Sequence, residues 1–92
     1  VVVIMNPYLD EKLNNKAFIR TFPKYIQAEE LVWHRDRKNR IITVIQGEGW
    51  EIQFDNELPR TLVIGEEIVI PAYTFHRIKR GTDDLKLKIE EY

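Results

Sequence analysis

A chain of 92 residues that is 43% hydrophobic and 32% charged supports one modest core and lies far from the composition of disordered chains. A formal net charge of -1 and a pI near 6.1 supply no global attraction to nucleic acid or to an anionic membrane, and neither is expected as a partner. The absence of cysteine excludes a disulfide framework and suits a cytoplasmic location, so stability must come from packing and self-association. The longest apolar run, Val1 to Met5, is far shorter than the roughly 20 residues of a membrane span and has no basic flank of a signal peptide. Met5-Asn6-Pro7 reads as a native start, with Val1 to Ile4 as upstream residues.

Asn6 can cap a helix and Pro7 is tolerated in a first helical turn. Tyr8 to Asn15 is polar and rich in helix formers, and a short N-terminal helix or a loop fits it equally well. From there the apolar residues fall into a period of two, the mark of strands with one buried face. Strands are expected at Ala17 to Phe22, Glu30 to His34 and Arg40 to Ile45. Trp50, Ile52 and Phe54 alternate with Glu51, Gln53 and Asp55, and Leu85, Leu87 and Ile89 alternate with Lys86, Lys88 and Glu90. These two stretches are the clearest strands. Gly47, Gly49, Asp55-Asn56, Pro59, Gly65, Pro71 and Gly81 separate the strands. About eight short strands, with no long helix to cross between parallel neighbours, imply a single all-β domain over residues 1–92, an antiparallel sandwich or barrel.

The chain holds two histidines. In Val32-Trp33-His34-Arg35-Asp36, a strand places side chains two apart on one face, so His34 and Asp36 can converge on one point. In Ile70-Pro71-Ala72-Tyr73-Thr74-Phe75-His76-Arg77-Ile78, the same rule puts His76 beside Ile78 and away from Arg77. Two imidazoles and one carboxylate form the facial triad of non-haem Fe(II), and similar ligands accept Mn, Co, Ni or Zn. Against that stands the structural role that a lone strand histidine more often has.

The spacing of these residues resembles the two motifs of the cupin superfamily. The first runs Gly-x5-His-x-His-x3,4-Glu-x6-Gly: His34 and Gly47 match it, while Asp36 stands in place of the second histidine, Arg40 of the glutamate and Ala28 of the opening glycine. The second runs Gly-x5-Pro-x-Gly-x2-His-x3-Asn: Gly65, Pro71 and His76 match in register, while Tyr73 and Arg80 replace the later glycine and the asparagine. The resemblance covers about Ala28 to Arg80. It implies a double-stranded β-helix, the cupin jelly-roll barrel, with His34, Asp36 and His76 as ligands of a divalent metal, Fe first and Mn, Ni or Zn as alternatives. The His-x-Asp…His set also resembles that of 2-oxoglutarate-dependent oxygenases, which share the barrel architecture.

Arg40 is the main departure, because a guanidinium is always charged and cannot ligate a cation. Either Arg40 stands behind Asp36 or holds an anionic substrate, or it forms an ion pair with Asp36 that replaces the metal, leaving no cofactor. Arg40 and Arg80 share parity with the histidines and are candidates to bind a small anionic ligand, with Tyr73 at the pocket rim. Arg35, Arg37 and Arg77 are expected to face solvent, and Trp33 and Trp50 to lie in the core or at an interface. Two functions follow: a metal-dependent enzyme with dioxygenase-like, isomerase or lyase chemistry on a small anion, or a non-catalytic sensor or scaffold. Small cupins are commonly dimers, so the resemblance implies a homodimer under either.

Overall fold

The computed structural model describes residues 8–26 and 31–92. The Asn6 cap, Pro7, the upstream Val1 to Ile4, the motif position Ala28 and the start of the expected strand at Glu30 lie outside the described residues. Eight strands follow in chain order: β1 (Leu9–Lys12), β2 (Ala17–Phe22), β3 (Arg40–Gln46), β4 (Glu51–Phe54), β5 (Arg60–Thr61), β6 (Glu67–Ile70), β7 (His76–Lys79) and β8 (Leu85–Glu91). They build two antiparallel sheets, one ordered β1-β2-β8-β3-β6 and the other β5-β4-β7. No helix is long and apolar enough to cross a membrane among the described residues.

Two expectations are corrected. Tyr8 to Asn15 forms neither a helix nor a loop throughout, because β1 pairs with β2 from Leu9↔Thr21 to Lys12↔Phe18. The side chain of Asn14 closes the hairpin, its Oδ1 accepting from the backbone N–H of Lys16 at 2.8 Å and of Ala17 at 3.0 Å. The ladder overrides the helix-friendly composition. The Glu30 to His34 stretch holds no continuous strand among its described residues; only His34 pairs, through an isolated bridge to His76.

The inner faces alternate as the sequence demands. Ile42 and Val44 of β3, Ile68 and Ile70 of β6, and Leu85, Leu87 and Ile89 of β8 form one buried cluster with Ile52 and Ile78 of the facing sheet and with Trp50, which immediately precedes β4. Each such side chain contributes about 1.5–3 kcal/mol on leaving water. Trp50 is wholly buried, tilted against Phe22 at 6.1 Å between ring centroids, and its Nε1–H donates to the Asp83 carbonyl at 2.7 Å. Trp33 lies outside the core, at the surface of the chain, with the Arg77 guanidinium 4.7 Å from its ring centre.

Two turn positions explain why the motif residues are what they are. Gly47 has φ 142, and a Cβ there would approach Leu85 Cδ1 to 2.7 Å, so the turn into the Trp50 strand requires glycine. Tyr73 stands where the second motif has glycine and has a left-handed backbone, φ 63, which costs a non-glycine residue about 1–2 kcal/mol. Its backbone N–H donates to the Asp36 carbonyl at 2.7 Å, tying the turn to the segment that carries Asp36. Tyr73→Gly is therefore expected to stabilise the fold by about 0.5–1 kcal/mol after the unfolded-state entropy of glycine is charged against it. A raised urea midpoint at unchanged slope is the measurement; an unchanged or lowered midpoint contradicts the strain.

Candidate metal centre

His76 opens β7 opposite Phe54 of β4 and is bridged on its other side to His34. The two histidines exchange both backbone hydrogen bonds, at 3.0 Å and 2.9 Å, so their rings meet edge to face with centroids 4.3 Å apart. Asp36, two residues beyond His34, projects to the same place, and its Oδ2 lies 3.4 Å from His76 Nε2. One ligand atom from each of the three falls within 4.8 Å of the others. The group spans an exposure gradient: His34 is exposed, Asp36 half-buried and His76 buried.

The placement of protons decides what the group can do. His34 Nδ1 lies 3.0 Å from the Val32 carbonyl and His76 Nδ1 lies 2.8 Å from the Thr74 carbonyl. A carbonyl only accepts, so each Nδ1 must carry the hydrogen and each neutral ring presents a lone pair at Nε2. Burial pushes His76 below its ordinary value of 6.5, outweighing the hydrogen bond to Thr74; His34 and Arg40 lower it further and Asp36 raises it. Asp36 Oδ2 is buried and has no hydrogen-bond partner among the described residues. Acceptors thus converge with no proton between them. A first-row ion holds its ligands at about 2.1 Å and adjacent ligand atoms near 3 Å from one another. The Asp36–His76 pair at 3.4 Å is close to that spacing, and the ligand atom of His34 lies within 4.8 Å of both.

The lowered value of His76 has a consequence for the metal-free fold. A base whose folded-state pKa is depressed leaves stability intact above its unfolded value of 6.5 and removes it as pH falls below that point, because the unfolded chain takes up the proton first. The urea midpoint is expected to drop between neutral pH and mildly acidic pH, and His76→Gln to flatten the drop. An equal slope in both proteins contradicts the assignment.

Arg40 takes one oxygen of Asp36 and leaves the other. Its Nη1 lies 3.3 Å from Asp36 Oδ1, while its Nε and Nη2 each reach Glu91 Oε2 at 3.0 Å. Glu91 is its cross-strand partner on β8, so the guanidinium is anchored from behind and orients the Asp36 carboxylate. The ion pair between Arg40 and Asp36 forms through Oδ1, and Asp36 Oδ2 is left without a hydrogen-bond partner among the described residues.

A cavity of about 300 Å³ holds the group, with His34, Asp36, Arg40 and His76 on its wall and Phe22, Leu31, Ile52, Ile78 and Leu87 among the apolar lining. Arg20 and Tyr8 line it as well, and sequence reasoning passed over both. The signal was present, since Arg20 shares a strand face with Phe18 and Phe22, and a charge on an inward face needs a reason. Arg80 and Tyr73 do not line this cavity. Arg80 follows the end of β7, where strand parity no longer applies, and its Nη1 donates to the Ile26 carbonyl at 3.0 Å. The left-handed turn at Tyr73 leaves its side chain 60% exposed. Arg35 and Arg37 are exposed and Arg77 half-buried, the last donating to Gln53 Oε1 at 2.9 Å.

Neither a protein-family model nor a curated protein matches the sequence. Solved structures do match. An RmlC-like cupin family protein with a double-stranded β-helix fold from Methanocaldococcus jannaschii aligns at TM-score 0.71 and 18% identity, covering 95% of this chain and 81% of that one. A cupin-2 domain containing protein from Shewanella frigidimarina aligns at TM-score 0.63 and 23% identity over 89% of this chain and 76% of that one. HppE, solved with Co(II) and Tris buffer, aligns at TM-score 0.74 and 15% identity over all of this chain, which spans 57% of HppE.

Proposed function

We propose that this chain, a double-stranded β-helix of the cupin type, binds one divalent metal ion through His34, Asp36 and His76. The carrying observation is the buried Asp36 Oδ2, which has no hydrogen-bond partner among the described residues and faces His76 Nε2 at 3.4 Å. Two carbonyls, of Val32 and Thr74, hold the histidine rings in the tautomer a metal needs. HppE, a fold relative, is described with Co(II) and with Fe(II). Fe(II) suits two imidazoles and one carboxylate best, and Mn, Ni and Zn accept the same donors.

The ion would supply a Lewis acid with open coordination positions. The chain does the remainder. Arg40 and Glu91 hold the Asp36 carboxylate in place, and the apolar wall keeps bulk water from the buried side of the cavity. Dioxygenase-like, isomerase or lyase chemistry on a small anion fits this arrangement. A second reading, a non-catalytic sensor or scaffold, is favoured by the Asp36–Arg40 pair at 3.3 Å, which already compensates part of the carboxylate's charge.

Titrating Fe(II), Mn(II) and Zn(II) into chelator-treated protein under anaerobic conditions separates the two. Binding of one ion per chain that His34→Ala abolishes supports the metal centre. No uptake of any of the three supports the second reading. Self-association is proposed as well, through the exposed Ile45, Val63, Ile64 and Val69 on and beside β3 and the edge strand β6. Sizing chromatography of the wild type and of Val69→Glu checks it: a dimer that the variant dissociates is expected, and a monomeric wild type contradicts it.

A further inference from the structure

The cavity that carries the three ligands is also lined by Arg20 and Tyr8, which the metal reading leaves unused. Arg20 is fixed on one edge by Asp10, its cross-strand partner in the β1–β2 hairpin, which accepts from Nε at 2.8 Å and from Nη2 at 2.9 Å. Its guanidinium carbon lies 3.7 Å from the centre of the Tyr8 ring, and its side chain is only 14% exposed. The remaining nitrogen, Nη1, makes no hydrogen bond among the described residues. A guanidinium gripped on one edge and stacked on a ring presents its other donors in a preset direction, the arrangement that suits a carboxylate. Beside it the lining is hydrocarbon, with Phe22, Leu31, Ile52, Ile78 and Leu87.

Charge decides which anion fits. Arg20 and Arg40 are opposed by Asp10, Asp36 and Glu91, which leaves one negative charge, since histidines that ligate a metal are neutral. A divalent ion reverses this to one positive charge. A monocarboxylate balances it, whereas a phosphate monoester, close to two negative charges at neutral pH, overshoots. The cavity, about 300 Å³, lies at the lower end of the usual small-molecule range of roughly 300–1,000 Å³.

We infer that the cavity takes a short aliphatic monocarboxylate, its carboxylate received by Arg20 Nη1 and its hydrocarbon body lying on the apolar wall. The inference rests on the proposed metal centre, because without the ion the five charged side chains at the wall and directly behind it, with Asp10 and Glu91 paired to the arginines, carry a net negative charge that disfavours an anion.

Calorimetry with hexanoate, adipate and hexan-1-ol on metal-loaded and chelator-stripped protein tests it, with metal content measured on every sample. Metal-loaded wild type is expected to bind hexanoate about tenfold or more tightly than either analogue, and to lose about tenfold on stripping and on Arg20→Gln. Arg20→Lys keeps the charge without the fork, is expected to weaken hexanoate severalfold, and serves where the glutamine variant fails to fold. If metal-loaded protein binds hexan-1-ol or adipate as well as hexanoate, the inference is overturned and the metal centre stands. The same holds if a metal-loaded Arg20 variant binds hexanoate like the wild type. Protein that takes up no metal overturns the metal reading and, with it, the charge balance on which the inference rests.

Discussion

His76→Ala is expected to lower metal affinity by about 100-fold or more. The scale follows from hydrogen-bond partners behind metal ligands, whose loss alone costs roughly 10–100-fold; His76 is itself a proposed ligand and the most buried of the three, at 4% exposure. Its removal leaves Asp36 Oδ2 facing only His34 across the cavity, and two ligands do not hold a first-row ion against water and buffer. Because His76 is buried, its loss also disturbs packing beside Phe54, whose ring centroid lies 6.2 Å away. His34→Ala separates the two effects. His34 is exposed, so its truncation should change stability by no more than about 0.5 kcal/mol while removing the metal comparably. Competition against a chromophoric chelator reads the affinities. Retention of wild-type affinity in either variant would falsify the ligand assignment.

Trp50→Ala should carry the largest cost in stability, about 3–5 kcal/mol, as for other buried aromatic truncations. Trp50 has no exposed surface, packs on Phe22 and closes the end of the barrel where Gly47 and Gly81 both abut its ring. The Asp83 carbonyl, which accepts the indole N–H at 2.7 Å, loses its partner as well, so Trp50→Phe should still cost about 1–3 kcal/mol despite filling most of the volume. Against a total of roughly 5–15 kcal/mol for a native domain, the alanine variant stands near the limit of folding. Urea denaturation at constant slope measures both; a loss below about 1 kcal/mol for the alanine variant would show that the ring is not the keystone its burial implies.

The strands were legible where one face is buried and one is wet. Leu85, Leu87 and Ile89 are buried while Lys86 and Lys88 are half-exposed, which is period two written into β8. β1 was illegible for the opposite reason: all four of its residues are exposed, so no alternation marks it, and only the Asn14 turn and the ladder to β2 reveal it. The sequence around His34 reads as a strand, whereas His34 pairs at a single bridge. That one bridge is enough to bring it against His76.

For the site, what was readable depended on register and what was not depended on partners. His34, Asp36 and His76 can be brought together from the sequence because motif spacing carries information across the 41 residues that separate the histidines. The role of Arg40 could not, because it depends on Glu91, 51 residues further on and on no motif. The parity that points Arg80 inward ends with β7, whereas Arg20 interrupts an inward face that continues along β2. In each case the sequence shows the direction of a side chain only as far as its strand continues.

The degenerate first motif therefore keeps a coherent geometry. An arginine in place of glutamate removes one ligand, yet the arginine present spends its donors on Glu91 and on Asp36 Oδ1, leaving Oδ2 to the cavity. The most direct test is an anomalous-scattering map from crystals grown with Mn(II) or Co(II). One peak is expected about 2.0–2.3 Å from His34 Nε2, His76 Nε2 and an oxygen of Asp36, with Arg40 still on Oδ1. A map with no peak among these three residues, at metal concentrations where controls bind, would contradict it.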